Sequence, residues 1–234
     1  GAGGDTAASV GAPPRTSAAP TPSASPLGPA RPDTEGQLLD GITFGQAVDG
    51  LKKCLVYNQS GSRSPSGFRA DLGAAEDYRI ILAMHSTGDS NAPGDGIYVV
   101  AVKERPTPAR LICTIKGGKA TGINASVGAD DVLDTGPVMA DINGGKLHRQ
   151  SVLDHGNWKL PFRWGVIGTV KPSVARVTVT YGGVIRQAAL DHGWFVASGV
   201  LDQQVTVAPR IKGYDADNKL VYDSDKDKSY EKRL

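Results

Sequence analysis

The chain has 234 residues, a formal charge of +2, 30 glycines, 15 prolines and only 6 % aromatic side chains. So near-neutral a balance excludes the basic footprint of a nucleic-acid binder, and that much glycine and proline favours turn-rich β structure over a helical bundle. No apolar run is long enough to span a membrane and no zinc-motif spacing occurs, so neither a membrane span nor a cofactor is expected.

Residues 1–34 are almost wholly Ala, Pro, Ser, Gly and Thr. Such a segment buries too little apolar surface to offset the entropy of ordering it. Residues 1–37 are therefore expected to form a disordered or extended arm, either a linker from a removed signal or membrane anchor or a docking arm that orders on a partner. The start at Gly1 instead of Met reads as a processed or trimmed N-terminus.

Helical spacing begins after the arm. Phe44, Val48, Leu51 and Leu55, with Ala47 and Cys54, fall on one face of a helix over 41–58. Thr43 is placed to cap it, with Gln46 completing a capping box. Residues 59–73 are polar and glycine-rich and read as a loop. Strands follow at 78–84, 97–103, 109–116 and 119–126, the last two joined by Gly117-Gly118. One helix covering a four-stranded antiparallel meander gives a first domain over 38–150.

The two cysteines, Cys54 and Cys113, fall on the buried face of this helix and in the third strand. Two readings are open: one disulfide in an exported protein, or two separate buried thiols. The disulfide is favoured because the arm also suggests export. Closing a loop of that size stabilises by about 4 kcal/mol in the chain-entropy picture.

The loop over 85–96 contains Gly88-Asp89-Ser90, the context of a trypsin-like nucleophile, but Asn91 and Ala92 stand where that family shapes its oxyanion hole with glycines. The same loop offers Asp89, Asn91 and Asp95 as calcium ligands, and Asp223, Asp225 and Asp227 form a second acidic run. The EF-hand positions for glycine and the terminal carboxylate hold Lys228 and Leu234. Both sets read as solvated turns. Residues 129–149 read as a long connection, with Val132, Val138 and Met139 tucked against the body.

Leu153-Asp154-His155-Gly156 is echoed by Leu190-Asp191-His192-Gly193. An Asp-His dipeptide can orient an imidazole for metal binding or proton transfer. Neighbouring side chains on a strand point to opposite faces, however, which works against a direct pair, and both copies read as turns before an aromatic anchor. Trp158, Phe162, Arg163 and Trp164 form a cluster that reads either as the seam between two layers or as a candidate interaction patch.

From Gly165 onward the pattern is a string of short strands and turns. Val177, Val179 and Tyr181 alternate with Arg176, Thr178 and Thr180, then Gly182-Gly183 makes a hairpin turn. Val205, Val207 and Ile211 alternate likewise, and Asp217-Asn218 turns the chain again. A β-sandwich module of the immunoglobulin-like kind is expected over 151–223, followed by a charged, frayed tail over 224–234. The whole is expected to be mainly β (α+β).

Gly168-Thr169-Val170 with Pro172, the run Val174–Val179, Gly193-Trp194-Phe195 and Gly213-Tyr214-Asp215-Ala216-Asp217 before Leu220-Val221-Tyr222 resemble the extracytoplasmic portions of exported proteins from high-GC actinobacteria. Many of those are lipoproteins or single-span membrane proteins. Asn218 replaces their usual glycine and Gly213 their usual alanine. The resemblance covers roughly the last third of the chain and implies a β-sandwich and an extracellular or envelope location, but no catalytic residue. The expected function is a non-enzymatic exported protein that binds or scaffolds other secreted or envelope proteins. The alternatives are a metal- or carbohydrate-binding module, or a hydrolase using the Asp-His pairs.

Overall fold

The computed structural model describes residues 28–60, 71–88, 94–128, 136–150 and 158–234. Helix α1 (Phe44–Ser60) precedes four strands: β1 (Arg79–Ser86), β2 (Gly96–Lys103), β3 (Ala109–Lys116) and β4 (Lys119–Val127). They pair antiparallel in the order β1-β2-β3-β4. Eight strands follow: β5 (Val138–Ala140), β6 (Phe162–Val170), β7 (Val174–Tyr181), β8 (Val184–Gln187), β9 (Ala189–Asp191), β10 (Trp194–Leu201), β11 (Arg210–Asp215) and β12 (Leu220–Asp223). They make two further antiparallel sheets, β5-β6-β10-β9 and β12-β11-β7-β8. The protein is therefore mainly β, with an N-terminal helix on a meander and a β-sandwich after it.

Local chemistry explains α1. The Thr43 N–H donates to Gln46 Oε1 at 2.8 Å and the Gln46 N–H to Thr43 Oγ1 at 3.1 Å, a reciprocal capping box. Ala47, Leu51, Cys54 and Leu55 are buried on one face, and Asp49 and Lys53 pair at 2.9 Å on the other. Gly50 lies on the buried face too, where an added Cβ would come within 3.2 Å of Ile115.

Strand alternation then builds four layers. In β2, Val99 and Ala101 pack with Leu51 and Cys54 of α1, while Val100 and Val102 point the other way, toward Ile167 of β6 and Val196 of β10. In β6, Phe162, Trp164 and Val166 face away from the meander, into a core with Val177, Val179 and Tyr181 of β7 and Ile211 of β11. The order is helix, meander, middle sheet, outer sheet, and the meander shares a core with the sandwich. A register shift between Ile80 and Leu82 puts Ile81 and Leu82 together on the middle-sheet side.

The turns are those their residues require. Gly182 (φ 61°) with Gly183 (φ 82°), and His192 (φ 49°) with Gly193 (φ 84°), are two-residue connections with both central residues left-handed, which matches strand twist.

Three expectations change. Residues 28–37, assigned to the arm, are ordered as a strap along β1: the Ala30 N–H donates to Tyr78 O, the Ile80 N–H to Ala30 O, and the Leu39 N–H to Ala83 O. The charged tail is ordered as well. Val207 bridges Arg233, the Leu234 N–H donates to Thr206 O, and Tyr230 anchors the segment through a 2.6 Å bond to Pro209 O. Val205 and Val207 therefore precede β11 and do not belong to it. Val138 is buried and Met139 is half-exposed at the edge of the middle sheet, while Val132 lies outside the described residues.

Gly168 marks where the sandwich is tightest, since a Cβ there would overlap the Phe195 ring and the Met139 carbonyl. Gly168→Ala is expected to destabilise the fold by about 2 kcal/mol, read as a lower urea midpoint at unchanged slope. An unchanged midpoint would show that β5 yields freely.

Candidate functional site

Two residues of the aromatic cluster, Phe162 and Trp164, are interior, while Trp158 and Arg163 are partly exposed. Trp164 and Phe162 are 1 % and 4 % exposed, and Trp164 meets Tyr181 edge-on at 5.3 Å between ring centroids. Trp158, half-buried, stacks edge-on against Phe162 at 5.2 Å. Arg163 is engaged by Asp40, with Nε donating to Oδ2 at 3.0 Å and Nη2 to Oδ1 at 2.5 Å, while Nη1 donates to Gly199 O at 3.2 Å. Phe162 and Trp164 pack into the core between the two sandwich sheets. A stacking platform for a sugar would need the indole of Trp164 on the surface.

Cys54 and Cys113 meet in the core between α1 and β3, both fully buried. The expected bridge is not formed, and both are free thiols. Burial, and then the contact with Cys54, push the Cys113 thiol well above its ordinary value.

The second Asp-His copy forms a real pair, against the strand-alternation argument. His192 is a turn residue, and its left-handed backbone swings the imidazole back so that Nδ1 lies 2.8 Å from Asp191 Oδ1. The Asp191 side chain is fully buried, and its Oδ2 accepts from Gln37 Nε2 at 2.8 Å and from the Asp33 N–H at 3.0 Å. Burial alone would raise the Asp191 carboxyl. The bonds from Gln37, Asp33 N–H and His192, with the charge of Arg79, outweigh it and hold the carboxyl below its ordinary value.

Asp33, Asp191 and His192 have ligand atoms within 4.8 Å of one another. A guanidinium already fills the place a cation would take: Arg79 Nη2 sits 3.1 Å from His192 Nε2, and Arg79 Nε sits 3.8 Å from Asp191 Oδ1. With Nδ1 turned to a carboxylate and Nε2 to a guanidinium, the imidazole has no ring nitrogen left to serve as a base. The cluster ties the strap, β1 and the β9–β10 turn together. The first copy, Asp154-His155, lies outside the described residues, as do Asp89 and Asn91 of the 85–96 loop. His85 is exposed at the end of β1, and its backbone N–H donates to Asp40 Oδ2 at 2.9 Å.

His148 faces a hollow of about 230 Å³ between β6 and the C-terminal segment. Burial first and the Arg149 charge second lower its pKa to about 4, so it is neutral there at pH 7. The acidic run near the C-terminus is spent on turns: Asp223 accepts from the Asp225 N–H, Asp225 pairs with Arg210 at 2.7 Å, and Asp227 accepts from Ser229 and Tyr222.

The feature suited to contact is an edge strand. Among the described residues, the edges of the two sandwich sheets are three or four residues long, and β1 is shielded by the strap. Strand β4 has nine residues, carries no charge from Ala120 to Val127, and has no strand on its outer side among the described residues. The Gly128 N–H donates to Pro108 O, which fixes the phase of the β3–β4 ladder. Ser126 and Asn124 turn their backbone groups toward β3, and Ile123, Ala125 and Val127 turn theirs outward. Unpaired, uncharged edges of this length are ordinarily blocked by charge, proline or a covering segment.

No protein-family model matches the chain, nor does any curated protein or solved structure. Among the described residues no helix is long and apolar enough to cross a membrane.

The Asp191 clamp gives the fold an acid sensitivity with a definite sign. The folded state binds the Asp191 proton more weakly than the unfolded state, whose carboxyl titrates near pH 3.9. The stabilisation is therefore present above about pH 4 and lost as pH falls through the lower folded value. Asp191→Asn is expected to cost about 2 kcal/mol at pH 7 and to flatten the acid dependence below pH 4 in urea titrations. An acid profile identical to the unsubstituted protein's would remove Asp191 from the clamp.

Proposed function

We propose that the protein is a non-enzymatic exported module that binds other secreted or envelope proteins by accepting an extended segment of the partner along β4. The observation that carries this reading is the outer side of that strand, where Ile123, Ala125 and Val127 present backbone donors and acceptors with no charged side chain among them. Strand addition draws its affinity from such main-chain groups and its specificity from what lies beside them. The export half of the proposal rests on the Ala/Pro/Ser-rich arm and the resemblance of the C-terminal third.

Proline at 125 tests the edge without disturbing the ladder, because the Ala125 N–H points away from β3. Ala125→Pro is expected to leave the thermal midpoint within a few degrees of the parent and to abolish co-purification of partners from the native secretome. Unchanged partner recovery would sink the proposal.

The same export reading bears on the cysteine pair. We infer that Cys54 and Cys113 close into a disulfide outside the cytoplasm, since the two thiols already touch between α1 and β3. Protein recovered from an oxidising compartment is expected to resist alkylation when denatured without reductant, and to lose about 4 kcal/mol of stability on reduction. Two alkylated cysteines in the unreduced, denatured sample would contradict it.

A further inference from the structure

Beside the open edge lies a groove of about 410 Å³ between the outer face of α1 and the β3–β4 turn. Its walls are Lys52, Lys53, Val56 and Tyr57 of the helix, with Gly118, Lys119 and Ala120 at the start of β4. Val56 is 65 % exposed, a β-branched apolar side chain on the helix face that turns away from the core. Lys53 is held in place, with Nζ donating to Gly118 O at 2.6 Å and pairing with Asp49 at 2.9 Å, so it pins the turn to the helix. Lys52 and Lys119 are exposed on either side and make no ion pair among the described residues.

We propose that this groove selects the partner of the β4 edge for negative charge: the docking segment is an extended strand with acidic residues beside an apolar anchor that covers Val56. The inference rests on the strand-addition reading and adds the chemistry of the occupant. A chain paired with Ile123, Ala125 and Val127 and continued past the bulge at Thr121, whose carbonyl accepts from the Tyr57 hydroxyl at 3.4 Å, comes to Ala120 and Lys119, the rim of the groove. Its side chains there meet two lysines that have no carboxylate of their own and an apolar patch with nothing upon it among the described residues. Basic or wholly polar segments gain the same main-chain bonds but meet like charge or leave Val56 in water.

Ten-residue peptides that alternate valine with glutamate, lysine or serine separate the two layers of the claim, with affinity read by fluorescence anisotropy on the full chain. The glutamate peptide is expected to bind about tenfold tighter than the serine peptide, and the lysine peptide more weakly than either. The glutamate advantage is expected to shrink at high salt and to vanish in the Lys52→Glu/Lys119→Glu variant, which leaves Lys53 and its hold on Gly118 intact. Ala125→Pro is expected to abolish binding of all three. Equal affinity for the three peptides, all still lost on Ala125→Pro, would overturn the charge selection and leave strand addition standing. Binding untouched by Ala125→Pro, or no binding of any peptide, would overturn strand addition and the selection with it.

Discussion

The structure depends on the apolar seam where the meander meets the middle sheet. Val100, Val102 and Ile112 from one side close on Ile167 and Val196 from the other, with Leu147 between them. Arg110, Arg163 and Asp191 at the margin of that seam are each paired across it. Arg110, 2 % exposed, forms a two-point pair with Asp141 at 2.6 and 3.0 Å. Arg163 does the same with Asp40, and Asp191 gathers Gln37, the Asp33 N–H, His192 and Arg79. Bidentate guanidinium–carboxylate pairs fix orientation as well as contact. Removing one partner leaves the other charge desolvated, so these pairs set the relative placement of the two sheets more than they add net stability.

That arrangement explains why residues that look chemical in isolation are structural here. The Asp-His dipeptide and the arginine among the aromatic residues each have their bonding capacity filled by the scaffold. Among the described residues, the longest row of backbone groups with no neighbouring strand is the outer side of β4. The strap that covers β1 and the shortness of the sandwich edges make the contrast sharper: among the described residues the longest edge, β4, has no strand beside it.

What could be seen in advance was what is local. The α1 face, its Thr43–Gln46 cap, the meander strands and the glycine-paired turns follow from spacing and from backbone freedom, and they stand nearly where the pattern puts them. The long-range relations were hidden. That Asp191 serves Gln37 and Asp33, more than 150 positions away in sequence, has no local signature. The aromatic run shows the limit most clearly. Trp164 faces Gly199 across the β6–β10 pairing, and a glycine opposite a tryptophan is the sign of a buried indole, but it is visible only once the register is known. The tail misled through its charge, because only Tyr230 and Leu234, spaced among charged residues, supply the apolar contacts that order it.

Amide hydrogen exchange on β4 tests the central claim most directly. In the free protein the outward N–H groups of Ile123, Ala125 and Val127 are expected to exchange fast, while those of Asn124 and Ser126 are protected by β3. With the glutamate–valine peptide bound, the three outward amides are expected to slow by orders of magnitude and the inward pair to change little. Binding that leaves Ile123, Ala125 and Val127 exchanging as before would contradict docking by strand addition at this edge.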